Sequence, residues 1–275
     1  MSAADVSGEV LVSEGCALLT LHEQGIAHVQ LNRPDAANGM NLQMLQALHQ
    51  VLMQVHGDQR VRVLLLTGAG KNFCAGGDVH AFLSKGEALP GYIRQATALL
   101  ENVVALLMRM NPPVVAAVHG HAAGGGGMGL VCSSDFVIAA ESARFIGGAT
   151  RVAMVPDAGV TVTLTQLVGL RKAMEIALLN PTITAPEALA MGLITRVVPD
   201  GQLQADAWAL ARQLAAGAPA ALAATKRLLW NGVGRTVDAA MPEENRLQGV
   251  LSGMADAREG LAAVIEKRQP RFTGK

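Results

Sequence analysis

The chain has 275 residues, of which 51% are hydrophobic and only 16% charged. A large core can form, and a globally disordered chain is excluded. Lys and Arg number 22 and so do Asp and Glu, which leaves no basic footprint for a nucleic-acid backbone and little repulsion between copies.

The first residues carry early acids and no basic-then-apolar block, so no signal peptide is expected. Residues 17–21 and 26–31 flank the polar turn 22–25 and read as a β-hairpin. Leu42, Leu45, Leu48, Leu52 and Val55 then recur at helical spacing, with Asn41 placed to cap the helix. Residues 61–67 form a branched apolar run ended by glycine, which suits a strand buried on both faces. A helix is expected over 91–110 and is stopped by Pro112-Pro113.

Buried strands are expected at 114–118 and 136–140, separated by the glycine cluster Gly124–Gly129 and a helix-like run. Met110–Ser134 lacks Asp, Glu, Lys and Arg, but its prolines and glycines would break a membrane-spanning helix, so no span is expected. Beyond residue 160 the pattern is mostly helical. Thr184 and Glu187 have capping-box spacing, with Pro186 in the first turn. Further helices are expected at 203–216, 219–231 and 256–268. The domain reading is therefore an α/β layered core over 1–200 and a helical region over 201–275, which either covers that core or meets another subunit.

Cys16, Cys74 and Cys132 fit no zinc spacing and suit free, buried thiols of a reducing cytoplasm. His119 and His121 lack a third ligand at metal spacing, so no metal is expected. No serine-hydrolase elbow surrounds Ser133 or Ser134.

Gly124, Gly126 and Gly129 satisfy G-x-G-x-x-G. A dinucleotide site would also need an acid about 20 residues on, and Glu141 comes too early. The cluster could instead serve close helix–strand packing. It could also expose backbone N–H groups at a helix start, where developing negative charge is stabilised. The segment Asn72-Phe73-Cys74-Ala75-Gly76-Gly77-Asp78 follows the strand at 61–67 and can present one more N–H. Two such donors aimed at one carbonyl oxygen make an oxyanion hole.

These segments carry a resemblance that runs nearly end to end. It includes Leu31-Asn32-Arg33-Pro34 with Asn38, Leu66 through Asp78, and Pro113 through the glycine cluster to Asp135. It continues with Ala143-Arg144-Phe145, Val155-Pro156-Asp157-Ala158-Gly159, 184–192 and Glu266-Lys267-Arg268. The chain resembles the crotonase superfamily, the enoyl-CoA hydratase/isomerase family. The resemblance implies an α/β fold, a crotonase-like spiral of ββα units, with a C-terminal helical oligomerisation region that builds homotrimers or dimers of trimers. It implies acyl-CoA substrates and no cofactor, coenzyme A being part of the substrate.

By motif position the oxyanion donors would be Gly77 and Gly126, with Gly125 open as the second because of an apparent one-residue insertion. Ala75, Gly76 and Asp78 would border the thioester, Asp78 orienting its loop. Arg33 and Lys71 would be candidates for the CoA phosphates. Phe272 and Lys275 would match a C-terminal pair that touches the adenine end of a neighbouring subunit's CoA.

The departures decide the chemistry. Family hydratases place glutamates where this chain has Gly129 (or Met128) and Ala149. A carboxylate stands instead at Asp157, as in many family isomerases, including the ring-opening type acting on epoxidised phenylacetyl-CoA. Asp157 is otherwise a good helix N-cap. The expected reaction is enoyl-CoA isomerisation in a cytoplasmic enzyme, with Asp157 as proton shuttle. The alternatives are a hydratase, a halobenzoyl-CoA dehalogenase-like hydrolase (whose branch has tryptophan at the position of Ala149) and a non-catalytic acyl-CoA-binding homologue.

Overall fold

The computed structural model describes residues 8–275. The opening residues that argue against a leader lie partly outside this range. Strand β1 (Gly8–Val12) pairs antiparallel with β2 (Ala17–His22), which forms the expected hairpin with β3 (Ile26–Leu31). Along β2, Ala17, Leu19 and Leu21 are buried and their neighbours are not, the period-two pattern of a strand with one face on the core.

Helix α1 (Leu42–Gly57) is capped as expected, Met44 N–H donating to Asn41 Oδ1 at 2.9 Å. Its six buried residues follow the helical stripe read from the sequence. Strand β4 (Val63–Gly68) is buried throughout and pairs parallel with β3. Short α2 (Val79–Leu83) and long α3 (Leu89–Arg109) follow, then β5 (Val114–Val118), β6 (His121–Ala123) and α4 (Gly124–Ser133). The glycine cluster therefore forms the first turns of α4 rather than a loop before it.

Strands β7 (Phe136–Ala140) and β8 (Arg144–Ile146) lead to α5 (Val160–Val168) and α6 (Leu170–Met174). The two-residue β9 (Ile183–Thr184) enters α7 (Ala185–Ala190) through the expected capping box, and β10 (Arg196–Val198) closes the strand set. The main sheet runs β1-β2-β3-β4-β5-β7-β10, parallel from β3 onward, and β6-β8-β9 form a second sheet. Strands β9 and β10 interrupt the mostly helical pattern expected beyond residue 160. With three residues or fewer each, they offer no period to detect.

The rest is α8 (Leu203–Ala215), α9 (Pro219–Gly232), α10 (Val237–Ser252) and α11 (Ala255–Glu266). Helix α8 lies on the main sheet, burying Leu203, Ala207, Ala211 and Ala215. Its Trp208 meets the rings of His22 and His28 edge-on. Helix α9 is anchored by Lys226, whose ammonium lies 2.7 Å from Asp135 Oδ2 and donates to the carbonyls of Leu107 and Pro112. Trp230 Nε1 donates to the other Asp135 oxygen. Both tryptophans thus pack within this chain, whereas α10 and α11 leave Val250, Leu261, Val264 and Ile265 exposed. The three cysteines are free and buried. Among the described residues no helix is long and apolar enough to cross a membrane.

Candidate active site

The segment after β4 is fixed by a set of short-range clamps. Asn38 is fully buried. Its amide Nδ2 donates to Ala69 O (2.9 Å) and Asn72 O (2.8 Å), and its Oδ1 accepts from Arg33 N. Arg33 in turn pairs with Asp78 at 3.1 Å and donates to Gly39 O. Asp78 Oδ1 caps α2 through Ala81 N–H. Burial works against the Asp78 charge, but the Ala81 and Arg33 bonds outweigh it and hold the carboxyl below its usual range. Asn72 accepts from the backbone and ring of His121, and the His119 ring bonds to Gly70 O. Both histidines brace this loop.

Within that frame, residues 74–78 run as an extended ribbon between two neighbours. On one side Cys74 exchanges backbone bonds with β6, and on the other Gly76 O and Asp78 N bond to Met40. Gly77 lies between the two Met40 bonds, so its own N–H faces away from Met40. Among the described residues, no backbone carbonyl takes up this N–H. Helix α4 starts beside it. A β-carbon at Gly126 would touch Gly76 Cα at 3.4 Å and crowd Met40 Cγ at 2.6 Å, so glycine leaves room here for the Met40 side chain. Gly124, Gly125 and Gly126 make up the first turn, whose N–H groups have no carbonyl four residues back, and no side chain caps it.

Gly77 and all three of these glycines line one cavity of about 510 Å³. Its walls are otherwise apolar and include Leu45, Phe82, Ile93, Leu100 and Met154. Thr97 also lines it, but its hydroxyl is spent on Ile93 O. Among the described residues, the sole ionisable side chain on the wall is Asp157. Its carboxylate abuts the α-carbon of Gly125, where any β-carbon would collide with it. It is not the helix cap that its position allowed. Helix α5 is entered through Gly159 at φ +70° with no side-chain cap. Burial raises the Asp157 pKa above the usual carboxylate value, and Glu101 adds to this with its like charge.

Ala149, at one of the two glutamate positions of family hydratases, lines the same cavity, and Gly129 lies further along α4. Ala75 is on the wall, while Gly76 lies behind it with its carbonyl on Met40. The remaining candidates sit elsewhere. The Arg33 guanidinium is engaged by Asp78 and Gly39, and Lys71 is exposed outside the cavity. Phe272 lines an apolar cleft with α11, and Lys275 O accepts from Asp256 N–H.

The sequence did not reveal how the opposite wall is held. Asn180, buried at φ +50°, accepts from Gly148 N–H and donates to Thr150 Oγ1 at 2.7 Å, and its carbonyl accepts from Arg151. A lone asparagine after an apolar run carries no periodic signal.

The sequence profile of the enoyl-CoA hydratase/isomerase family matches residues 22–275. The chain belongs to the enoyl-CoA hydratase/isomerase family. It is 39% identical over 252 residues to a protein of Rhodobacter capsulatus named as a probable enoyl-CoA hydratase, covering 92% of this chain and 96% of that one. It is 36% identical to the 1,2-epoxyphenylacetyl-CoA isomerase of Escherichia coli, covering 94% and 98%. The crystal structure of an enoyl-CoA hydratase from Bacillus anthracis superposes with a TM-score of 0.87 at 31% identity, covering 97% of this chain and all of the other. This enoyl-CoA hydratase/isomerase family member thus has the crotonase fold, and its family acts on acyl-CoA thioesters.

Proposed function

We propose that the protein isomerises the double bond of an enoyl-CoA thioester, with Asp157 moving the proton and the N–H groups of Gly77 and Gly126 holding the thioester oxygen. The observation that carries this reading is that Asp157 is, among the described residues, the one ionisable side chain on the cavity wall, beside the uncapped start of α4. In a 3-enoyl thioester, Asp157 takes a proton from C2. The C–H electrons form a C1–C2 double bond and the carbonyl π pair moves onto the thioester oxygen, giving a dienolate that keeps its C3–C4 double bond until the carbonyl re-forms and the C1–C2 pair shifts to C2–C3. The two N–H groups stabilise that oxygen, each worth about 3 kcal/mol in sites of this type. Asp157 then returns its proton to C4, leaving the conjugated 2-enoyl thioester. One carboxylate suffices because the proton travels along one face of the substrate. No cofactor beyond the coenzyme A of the substrate enters the scheme.

A hydratase is the second reading, favoured by the name of the Rhodobacter capsulatus relative. Against it, Gly129 and Ala149 cannot activate water. Incubation with 3-enoyl-CoA tests both. The isomerase reading expects growth of 2-enoyl thioester absorbance, lost in Asp157→Asn with acyl-CoA binding retained. A hydratase would instead consume 2-enoyl-CoA supplied alone. Turnover of 3-enoyl-CoA by Asp157→Asn would show that the base is misassigned.

We also propose a cytoplasmic homotrimer or dimer of trimers, supported by the exposed apolar residues of α10 and α11. Phe272 and Lys275 lie outside this cavity, consistent with the C-terminal pair that the family resemblance places against a neighbouring copy's CoA. Light scattering on the purified chain tests the assembly, and a monomer would overturn it.

A further inference from the structure

Asp157 owes its place to the residue after it. Ala158 is 4% exposed and sits at φ +53°, a left-handed conformation that is unfavourable for a residue with a β-carbon. Something must hold it there. Its methyl faces Gly129 on α4, where a β-carbon would stand 2.7 Å from Ala158 Cβ, well inside ordinary carbon–carbon contact. Helix α4 is a firm seat, since every residue from Gly126 to Ser133 is buried.

Residues 157–159 also form a partition. Asp157 lines the 510 Å³ cavity, whereas Ala158 and Gly159 line a separate cleft with Glu101, Val104 and Trp230. The paired left-handed residues Ala158 and Gly159 turn the chain so that consecutive side chains face these two sides. A shift of Ala158 off α4 would therefore carry the Asp157 carboxylate along its contact with Gly125.

We propose that the seating of the Ala158 methyl on the bare α-carbon of Gly129 aims Asp157 into the cavity, which makes Ala158 and Gly129 positioning residues. This rests on the reading of Asp157 as the proton shuttle. The contact has room for one methyl group, supplied from either side. Gly129→Ala places two there and pushes the partition away. Ala158→Gly leaves none and frees it. The double variant moves the methyl from α4's partner to α4 itself, a volume-conserving exchange that also removes the left-handed alanine.

The test is a double-mutant cycle on the full chain, reading kcat, KM for 3-enoyl-CoA, the acid limb of the kcat–pH profile and thermal midpoint. Gly129→Ala is expected to lower kcat about 10-fold or more, as small misplacements of a reacting group do. KM should stay within about 2-fold, because uniform binding is untouched. Its acid limb should move, since Asp157 then meets a different degree of burial. Ala158→Gly should also lower kcat, and the double variant should recover kcat to within about 3-fold of the native enzyme.

Native kcat in Gly129→Ala, or a double variant no better than the single, overturns the proposal. If Gly129→Ala does not fold, an Ala158→Gly enzyme with native kcat overturns it equally. Asp157→Asn run alongside separates the two claims. Its turnover would sink the proton-shuttle reading. An inactive Asp157→Asn with an unaffected Gly129→Ala would sink the positioning claim alone.

Discussion

The carboxylate of Asp157 rests on the α-carbon of Gly125, at the first turn of α4 and inside an otherwise apolar cavity. A carboxylate placed there forfeits solvation and is pushed toward its neutral form. The folded state then binds this proton more tightly than the unfolded state, so ionised Asp157 costs stability at neutral pH. Asp157→Asn removes that cost. Its thermal midpoint at neutral pH should be at or above that of the native enzyme while isomerase activity is lost, the trade expected of a strained functional group. Differential scanning calorimetry of the two proteins checks this, and a marked drop would indicate a structural role for the carboxylate.

The same raised pKa sets the pH dependence of turnover. A general base must be ionised, so kcat is present above the folded-state pKa of Asp157 and lost as pH falls through it. Because burial and Glu101 raise that pKa, the acid limb should lie above the range of an ordinary carboxylate. Glu101→Gln removes the like charge and should move the limb to lower pH. Stopped-flow or steady-state kcat profiles measure both limbs, and an unmoved limb would remove Glu101 from the electrostatics of the site.

Asn38 should matter far beyond its size. It is buried at φ +55° and spends its amide on three backbone groups, one at Arg33 and two in the loop after β4. Asn38→Ala strands two part-buried carbonyls and an N–H, and also puts alanine in a left-handed conformation. The expected loss is about 3–5 kcal/mol of unfolding free energy. Turnover should fall with it, because the 74–78 ribbon that carries Gly77 hangs from the same clamp. Urea denaturation with parallel kinetics tests both parts, and a loss under about 1 kcal/mol would contradict the clamp.

Much of this site could be read before any coordinates, for identifiable reasons. The glycines at 76–77 and 124–126 stand out as clusters in the sequence, and the fold gives each a reason: the Ala123 carbonyl crowds Gly76, the side chains of Phe82, Asp157 and Met40 crowd Gly77, Gly125 and Gly126, and Gly124 sits at φ +58°. Asp157 stood out as a carboxylate within a recognised segment, although its sequence position equally suited a helix cap. Only the fold separates the two roles, because α5 begins at Gly159 and leaves the Asp157 side chain to the cavity. The apolar wall was not legible. Leu45, Ile93 and Leu100 lie on helices whose inward stripes look alike whether they face a core or a cavity. Nor does the sequence show the pairing of Arg33 with Asp78, which lies 45 residues away.

A separate acid sensitivity is built into the sheet. His28 on β3 lies between Trp208 and the ring of His22 and bonds to Thr67 Oγ1 at 2.8 Å. Burial, aided by the neighbouring His22, lowers its pKa to about 4 from 6.5. Here the unfolded state binds the proton more tightly, so stability rises with pH between those two values. Lowering the pH from 7 toward 4 should therefore forfeit up to about 3 kcal/mol through this residue, with most of the change below pH 6.5. Below about pH 4 this contribution should level off. His28→Gln keeps a hydrogen bond to Thr67 within reach and carries no titrating group. Its unfolding free energy, followed by urea denaturation across pH 4–7, should show a shallower slope than the native chain. Equal slopes would mean that protonation of His28 is relieved by local rearrangement rather than resisted by the fold.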